Sequence, residues 1–304
     1  MTDSTYSRPA DFDDYWDAVK EQLADTPARP EIEKIPIRET DFATLFGVRL
    51  SSIGPYRLFG YLSIPKGDGP FPAIYWTPKY GSVLEIIPQG TENRMRSRFV
   101  TFSLAGRGQR NSDQPFSAMF PGLLTEGIES PDSYVFRGIV ADALRGMEFL
   151  SSTDHVSTSS LVVIGNDVAM QTVALGGEAS HLVCTPALFY DALALAARSS
   201  GYPLEEYNDY LRFQPSHTDR VAHTLSYFDL RAFAPTVNAA TLIMAGPAGA
   251  SLGPGTLADL GSSIPGGSCI YASQQSSYKD GLHAERWIAS QLGFDAPIIP
   301  AHWG

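Results

Sequence analysis

Two short stretches contain residues whose types and spacing could carry out acyl or alkyl transfer. Residues 249–253 read G-A-S-L-G, a literal G-x-S-x-G centred on Ser251, and that pattern presents a nucleophilic serine on a sharp strand-to-helix turn. Residues 165–168 read G-N-D-V and follow the apolar run SLVVIG. Asp167 lies in the loop that follows this run and offers a carboxylate. A serine paired with a histidine attacks acyl carbons, whereas a carboxylate nucleophile suits attack on an alkyl carbon.

The elements that would position these residues alternate between apolar runs and helical stretches. The apolar runs have the length and composition of buried parallel strands; they lie at 71–76, 98–104, 160–165, 181–188, 241–246 and 268–273. Residues 138–152 and 282–293 have helical periodicity. We therefore predict an α/β fold with a mostly parallel central sheet and helices on both faces. In such sheets the chemistry concentrates in loops at the carboxyl ends of the strands.

Three further segments lie outside this alternating pattern: an N-terminal stretch, a pair of early segments and a long insertion. Apolar residues recur at helical spacing in residues 9–24, which predicts an amphipathic N-terminal helix. Two alternating segments within 46–64 predict paired strands. Residues 189–235 lie between two predicted strands and read as a helical insertion. Because no repeat or linker divides the chain, we expect one domain over 1–304.

Composition excludes several classes of function. The net charge of −11 and the pI near 4.9 argue against a nucleic-acid partner, because phosphate binding requires a basic face. No apolar run approaches membrane-spanning length and the first residues are polar and acidic, so we expect a cytoplasmic protein without membrane contact. The six histidines and two cysteines lack the spacing of metal ligands. We expect neither a metal nor a cofactor.

Several long segments resemble one known family, in the order in which that family has them. They are RPADFDDYW (8–16), FGYLSIPKG (59–67), GRGQRNSD (106–113), GIESPDSYVFRGIVADALRGMEFL (127–150), LEEYNDYL (204–211) and HTLSYFDLRAFAP (223–235). The family is that of the acetyl xylan esterases and cephalosporin C deacetylases, carbohydrate esterase family seven. The resemblance implies an α/β-hydrolase fold, an acetylated sugar-like ligand and a homo-oligomer such as a hexamer, for which the strands within 46–64 are our expected interface.

The catalytic positions of that family are substituted in this sequence. The family uses a Ser–His–Asp triad, and Asp167 occupies the serine position. Gly249 occupies the position of the catalytic acid, so Ser251 belongs to the acid loop and not to the nucleophile turn. The family's final Gly-His-Glu resembles residues 281–285, which makes His283 the expected base, and Asp191 is a candidate for a relocated acid.

The family's oxyanion loop also resembles a stretch of this chain. Its His-Gly-Tyr-Gly corresponds to residues 78–81, in which Tyr80 and Gly81 are kept and Lys79 brings a charge to the cleft. Val168, directly after the nucleophile position, is expected at the same cleft. The family's Arg-Gly-Gln is kept at 107–109, and we expect its arginine to brace the loop.

Three functions remain open from the sequence. The first is a family member that has lost serine-esterase activity and is kept for ligand binding or assembly. The second is a hydrolase of the dehalogenase or epoxide-hydrolase kind, with Asp167 as nucleophile and His283 as the base that activates water. The third is a residual carbohydrate or small-ester deacetylase that uses Ser251, Ser82 or another hydroxyl.

Overall fold

A nine-stranded sheet with helices on both faces organises the described part of the chain. The computed structural model describes residues 6–54, 56–81, 95–109, 111–112 and 118–295; Ser82 lies outside these residues. The strands are β1 Glu31–Lys34, β2 Ala43–Ser51, β3 Arg57–Pro65, β4 Phe71–Trp76, β5 Val100–Ala105, β6 Val156–Gly165, β7 His181–Cys184, β8 Ala240–Ala245 and β9 Ser268–Ala272. The helices are α1 Phe12–Ala24, α2 Met95–Arg98, α3 Val135–Ser151, α4 Asp167–Gly176, α5 Ala192–Ala196, α6 Glu205–Phe213, α7 Thr218–Ser226, α8 Leu230–Phe233, α9 Ala258–Ser262 and α10 Ser277–Gln291.

The strand order is β1-β2-β3-β5-β4-β6-β7-β8-β9. Strands β1, β2 and β3 form an antiparallel meander, and β3 pairs antiparallel with β5. The six strands β4 to β9 are parallel to one another. The parallel strands are apolar almost throughout because helices cover both of their faces. Their carboxyl ends lie along one edge, where α/β sheets place their functional loops.

Each face of the sheet has its own apolar layer. Strand residues such as Val163 and Cys184 pack in the larger core with α1, α3 and α4. The neighbouring residues Val162 and Val183 point to the opposite face, where α2 and α10 cover them. This alternation follows from the two-residue period of a strand. In the described part of the chain, no helix is both long enough and apolar enough to cross a membrane.

The structure confirms the predicted elements, with two differences. Strand β1 was not predicted, since its four residues are all exposed and give no apolar signal. The run at 181–188 is a strand only as far as Cys184, and the remainder forms the loop that enters the helical insertion. The second difference shows that an apolar, buried residue such as Leu188 (3% exposed) can lie in a loop as well as in a strand.

The N-terminal helix holds the insertion against the sheet through Trp16. This side chain is 1% exposed and its indole nitrogen donates to the carbonyl of Tyr227, 3.1 Å away. Its ring lies edge-on to Phe228 and Phe233, with centroids 5.4 and 5.7 Å apart. Such edge-to-face aromatic contacts add to the stabilisation from area burial. Helix α1 is therefore an integral part of the core.

We predict that Trp16→Ala lowers the free energy of unfolding by about 3–5 kcal/mol, because it leaves a large cavity and an unpaired carbonyl. Urea denaturation followed by circular dichroism measures the change. The control is Ile37→Ala, at a side chain that is 89% exposed, where a change within about 0.5 kcal/mol is expected. Equal stability of Trp16→Ala and the parent protein would contradict this account of α1.

Candidate active site

The turn between β6 and α4 has the connectivity of a nucleophile elbow. Strand β6 ends at Gly165, Asn166 forms the turn, and α4 begins at Asp167. A side chain at Gly165 would collide with the hydroxyl of Thr77 on the neighbouring strand. However, Asp167 is not among the residues with positive φ, whereas a nucleophile elbow strains its central residue. The turn is kept in relaxed form.

Asp167 is completely buried and its carboxylate is occupied by backbone amides. Three consecutive N–H groups of the loop between β7 and α5 donate to it: those of Ala187 (3.0 Å), Leu188 (3.1 Å to each oxygen) and Phe189 (2.9 Å). The side chain is 0% exposed. The carboxylate therefore faces the insertion loop as an internal hydrogen-bond acceptor, and it is not presented to solvent.

The electrostatics around Asp167 are those of a dry interior. Burial raises the pKa of Asp167, and the N–H groups of Phe189 and Leu188 act in the opposite direction. Burial also raises the pKa of the Cys184 thiol, an effect to which the Asp167 charge adds. The same combination, burial first and then the Asp167 charge, raises the pKa of Tyr207. Burial thus favours the neutral form of each of these groups, and at Asp167 the dipoles of the three backbone N–H groups act against it.

The structure places His283 away from the loop in which we expected a base. Strand β9 ends at Ala272 and α10 begins at Ser277, and the four residues between them read S-Q-Q-S. His283 lies in the second turn of α10, with its ring stacked on Tyr271 at a centroid distance of 3.8 Å. Burial lowers its pKa, although the nearby Asp280 charge opposes this. The assignment of His283 as a base stays a prediction.

Asp191 likewise belongs to a different environment from the one expected of a relocated acid. It precedes α5 in a left-handed conformation (φ 50°). Its N–H donates to Asp229 (3.0 Å) and its carboxylate lies 3.5 Å from a guanidinium nitrogen of Arg231. Since the carboxylate of Asp167 is held by the preceding loop residues, the two acids serve separate hydrogen-bond networks.

The literal G-x-S-x-G does not form an elbow. Ser251 is exposed in a turn after β8, and the next helix, α9, begins only at Ala258. Gly249 has φ 85°, a conformation that is unfavourable for the aspartate that the family resemblance places there. The loop therefore offers Ser251 no helix N-terminus, and its assignment to the acid position stays a prediction.

The oxyanion loop is braced by Gln109. Its side-chain amide donates to the carbonyls of Lys79 (2.6 Å) and Gly81 (2.7 Å) and accepts from the N–H of Gly106 (2.7 Å). Our expectation that Arg107 makes this brace was wrong: its guanidinium forms two hydrogen bonds with buried Asp142, at 2.9 and 2.7 Å. A planar guanidinium matches the two oxygens of a carboxylate better than it matches the backbone carbonyls of one turn.

Glu206 is the site residue that sequence reasoning missed. It is 2% exposed; one oxygen accepts from the Tyr80 hydroxyl in a short hydrogen bond and the other from the N–H of Leu124 at 2.7 Å. A side chain at Gly122 would collide with this carboxylate. Burial raises the pKa of Glu206, while its bonds to Tyr80 and Leu124 lower it. The available signal was the position of Glu206 inside LEEYNDYL, one of the segments that resemble the family.

Comparison with known proteins decides the family. The family model described as acetyl xylan esterase (AXE1) matches residues 3–256, which is most of the chain. The chain belongs to the acetyl xylan esterase family. An acetyl esterase of Xylanibacter ruminicola, Axe7A, is 23% identical over 239 residues, or 74% of this chain. This chain spans only about half (53%) of the length of Axe7A.

Solved structures of the family support the same architecture. The acetyl xylan esterase from Paenibacillus sp. R4 is 20% identical with a TM-score of 0.80, over 94% of this chain and 98% of that one. Acetyl xylan esterase 1 from Thermoanaerobacterium sp. JW/SL YS485 is 19% identical with a TM-score of 0.80, over 93% and 95% of the two chains. At this level of identity the likeness shows that the family's α/β-hydrolase fold is shared.

We predict that Asp167→Asn lowers the free energy of unfolding by about 2–3 kcal/mol, because an amide replaces one acceptor oxygen by a donor that faces backbone N–H groups. Chemical denaturation provides the measurement. Asp154→Asn, at an exposed aspartate, is the matched control and should leave the midpoint unchanged. A neutral effect of Asp167→Asn would show that the loop does not depend on the carboxylate.

A second prediction concerns Glu285, whose pKa burial raises to about 7. The unfolded chain loses this proton near pH 4.3, so the stabilisation is complete below about pH 4 and is lost as the pH rises to about 7. Removal of the titrating group in Glu285→Gln should flatten the decline in unfolding free energy over this interval. Glu178→Gln, at an exposed glutamate, should not. Parallel pH profiles for the parent and Glu285→Gln would contradict the shift.

Proposed function

We propose that this member of the acetyl xylan esterase family does not hydrolyse esters through a serine nucleophile, and that its scaffold is kept to bind an acetylated sugar-like molecule or to assemble. The observation that carries the proposal is the state of Asp167, buried and bonded to three consecutive backbone N–H groups. An acyl transferase needs a hydroxyl or thiol at this point, with a base to deprotonate it.

The other triad positions support the same conclusion. The loop after β9 has no histidine among residues 273–276, and the loop after β8 has a glycine at 249 in place of an acid. A histidine without its carboxylate loses the control of its tautomer, and here the imidazole of His283 rests on Tyr271. Reactivation would therefore require at least three coordinated changes.

The two alternative enzymes find less support. An aspartate nucleophile must present a free oxygen to its substrate, whereas both oxygens of Asp167 accept backbone N–H groups and neither is exposed. Its water-activating base would need to lie within hydrogen-bond reach of the alkyl-enzyme ester, and His283 stacks on the outer strand β9. Ser251 is exposed, but its turn lacks the helix that helps to form an oxyanion hole.

The decisive experiment is an esterase assay of the purified protein with 4-nitrophenyl acetate and acetylated xylo-oligosaccharides, together with labelling by a serine-directed fluorophosphonate. We expect no turnover above the buffer rate and no label, while an active acetyl xylan esterase of the family gives both. Asp167→Ser alone should also remain inactive, because the carboxylate and the histidine that a triad requires are still missing from their positions.

Turnover that is lost in Ser251→Ala would overturn the proposal in favour of a residual deacetylase. Release of halide from a haloalkane, or of a diol from an epoxide, that disappears in Asp167→Asn would favour the aspartate nucleophile instead. Contaminating esterase is excluded by requiring that activity and protein co-elute over two columns.

A further inference from the structure

A cavity of about 320 Å³ lies on the outer side of the loop that Asp167 holds. Four segments enclose it: the N-terminal residues 6–7, the start of α5, the end of α7, and residues 229–231. Its size is at the lower end of the range for small-molecule sites. The side chains that line it and enter the argument are Tyr6, Asp191, Ser226, Asp229 and Arg231.

A rigid ion pair forms one wall of this cavity. The guanidinium of Arg231 donates to both oxygens of Asp229, at 2.8 and 2.6 Å. The ring faces of Tyr6 and Tyr190 lie against the guanidinium, with centroids at 4.4 and 5.1 Å. Asp229 also accepts the N–H of Asp191 (3.0 Å). The hydrogen bonds to Asp229 and the rings of Tyr6 and Tyr190 hold the guanidinium in place. We therefore expect the Arg231–Asp229 pair to keep the same geometry when a ligand binds.

Asp191 has acceptor capacity to spare on the same wall. Its carboxylate makes a single side-chain contact, at 3.5 Å to Arg231, and the side chain is 33% exposed. It does not cap the helix that it precedes. A carboxylate held in a fixed position with unused lone pairs can accept hydrogen bonds from a ligand. Nothing in the local fold requires those lone pairs.

Tyr6 supplies a matching donor. Its hydroxyl is buried and has no hydrogen-bond partner among the residues that the structure describes. Burial raises the pKa of Tyr6 to about 12, so the group remains a donor at neutral pH. A buried polar atom without a partner is costly. A ligand hydroxyl that draws the phenol slightly toward the cavity would remove that cost.

The charges on the walls disfavour an anion, and the position of Arg231 limits where a cation could bind. Two carboxylates, those of Asp191 and Asp229, disfavour an anion. The guanidinium of Arg231, 3.5 Å from Asp191, disfavours a second cation at the same oxygen. A neutral hydroxyl suits both Asp191 and Tyr6, because it can donate to a carboxylate and accept from a phenol at the same time.

We infer that this cavity is a binding site for a small neutral polyhydroxylated ligand such as a monosaccharide or the end of a short oligosaccharide. Asp191 accepts from one ligand hydroxyl, and Tyr6 donates to the same or an adjacent one. The hydroxyl of Ser226, whose proton is given to the carbonyl of His223, offers a further acceptor. The inference adds a place and a ligand class to the proposed function but does not depend on the absence of hydrolysis.

The test is a titration of the ¹⁵N-labelled full chain with D-xylose and xylobiose, followed by two-dimensional NMR and by calorimetry. We expect saturable binding, with shifts concentrated at residues 6–7, 191–193 and 222–231. Asp191→Ala should weaken binding about tenfold or more, and Tyr6→Phe several-fold, as losses of single hydrogen bonds to a ligand. Tyr6→Phe deletes only a buried, unpaired hydroxyl, so its thermal stability should equal or exceed that of the parent.

The matched controls are Asp154→Ala and Tyr61→Phe, which make the same changes outside the cavity and should leave the affinity unaltered. Absence of saturable binding by both sugars would overturn the inference. Affinities of Tyr6→Phe and Asp191→Ala that equal the affinity of the parent would also overturn it. So would binding of ethylammonium or inorganic phosphate at these residues that is tighter than the binding of the sugars. Because the readout is binding without turnover, its failure leaves the esterase assays to decide the proposed function separately.

Discussion

Three backbone N–H groups that converge on the Asp167 carboxylate are the interaction on which the arrangement of this chain depends. They belong to residues 187–189, the segment that leaves β7 and begins the helical insertion. An unpaired amide in this interior would cost as much as a lost hydrogen bond, and three in succession need a strong acceptor. A carboxyl group with two accepting oxygens meets that need. The same side chain therefore cannot serve as an exposed nucleophile, and it fixes the loop that continues to Asp191.

The constraint explains why losses at the catalytic positions are compatible with an intact fold. In a serine hydrolase the nucleophile turn is strained so that the side chain stands free; here the residue is relaxed and tied down. Under the proposed function, position 167 has this structural role, and neither an acid at 249 nor an imidazole after β9 is needed. Gly249 in a left-handed conformation and the S-Q-Q-S loop are what remains.

Much of the fold was readable from the sequence, because burial imposes a period on every strand and helix that covers the sheet. The parallel strands, α1, α3 and the insertion follow from that period alone. The site was less readable, since its hydrogen bonds join residues far apart in sequence. The link between Tyr80 and Glu206 spans 126 positions, and His283 was assigned from a motif whose register only the helix α10 could settle. Asp167 could be singled out from the sequence, but its backbone partners at 187–189 could not.

The motifs that survive perform tasks that catalysis does not require. Gln109 holds the backbone of the early loop, Arg107 neutralises buried Asp142, and Glu206 ties Tyr80 to the turn at Leu124. Each contact would be expensive to remove, because it would leave a buried polar or charged group unpaired. A family signature built from such residues persists as long as the fold is under selection. Membership of the acetyl xylan esterase family therefore reports the scaffold, and the chemistry must be judged at position 167 and the two loops that should serve it.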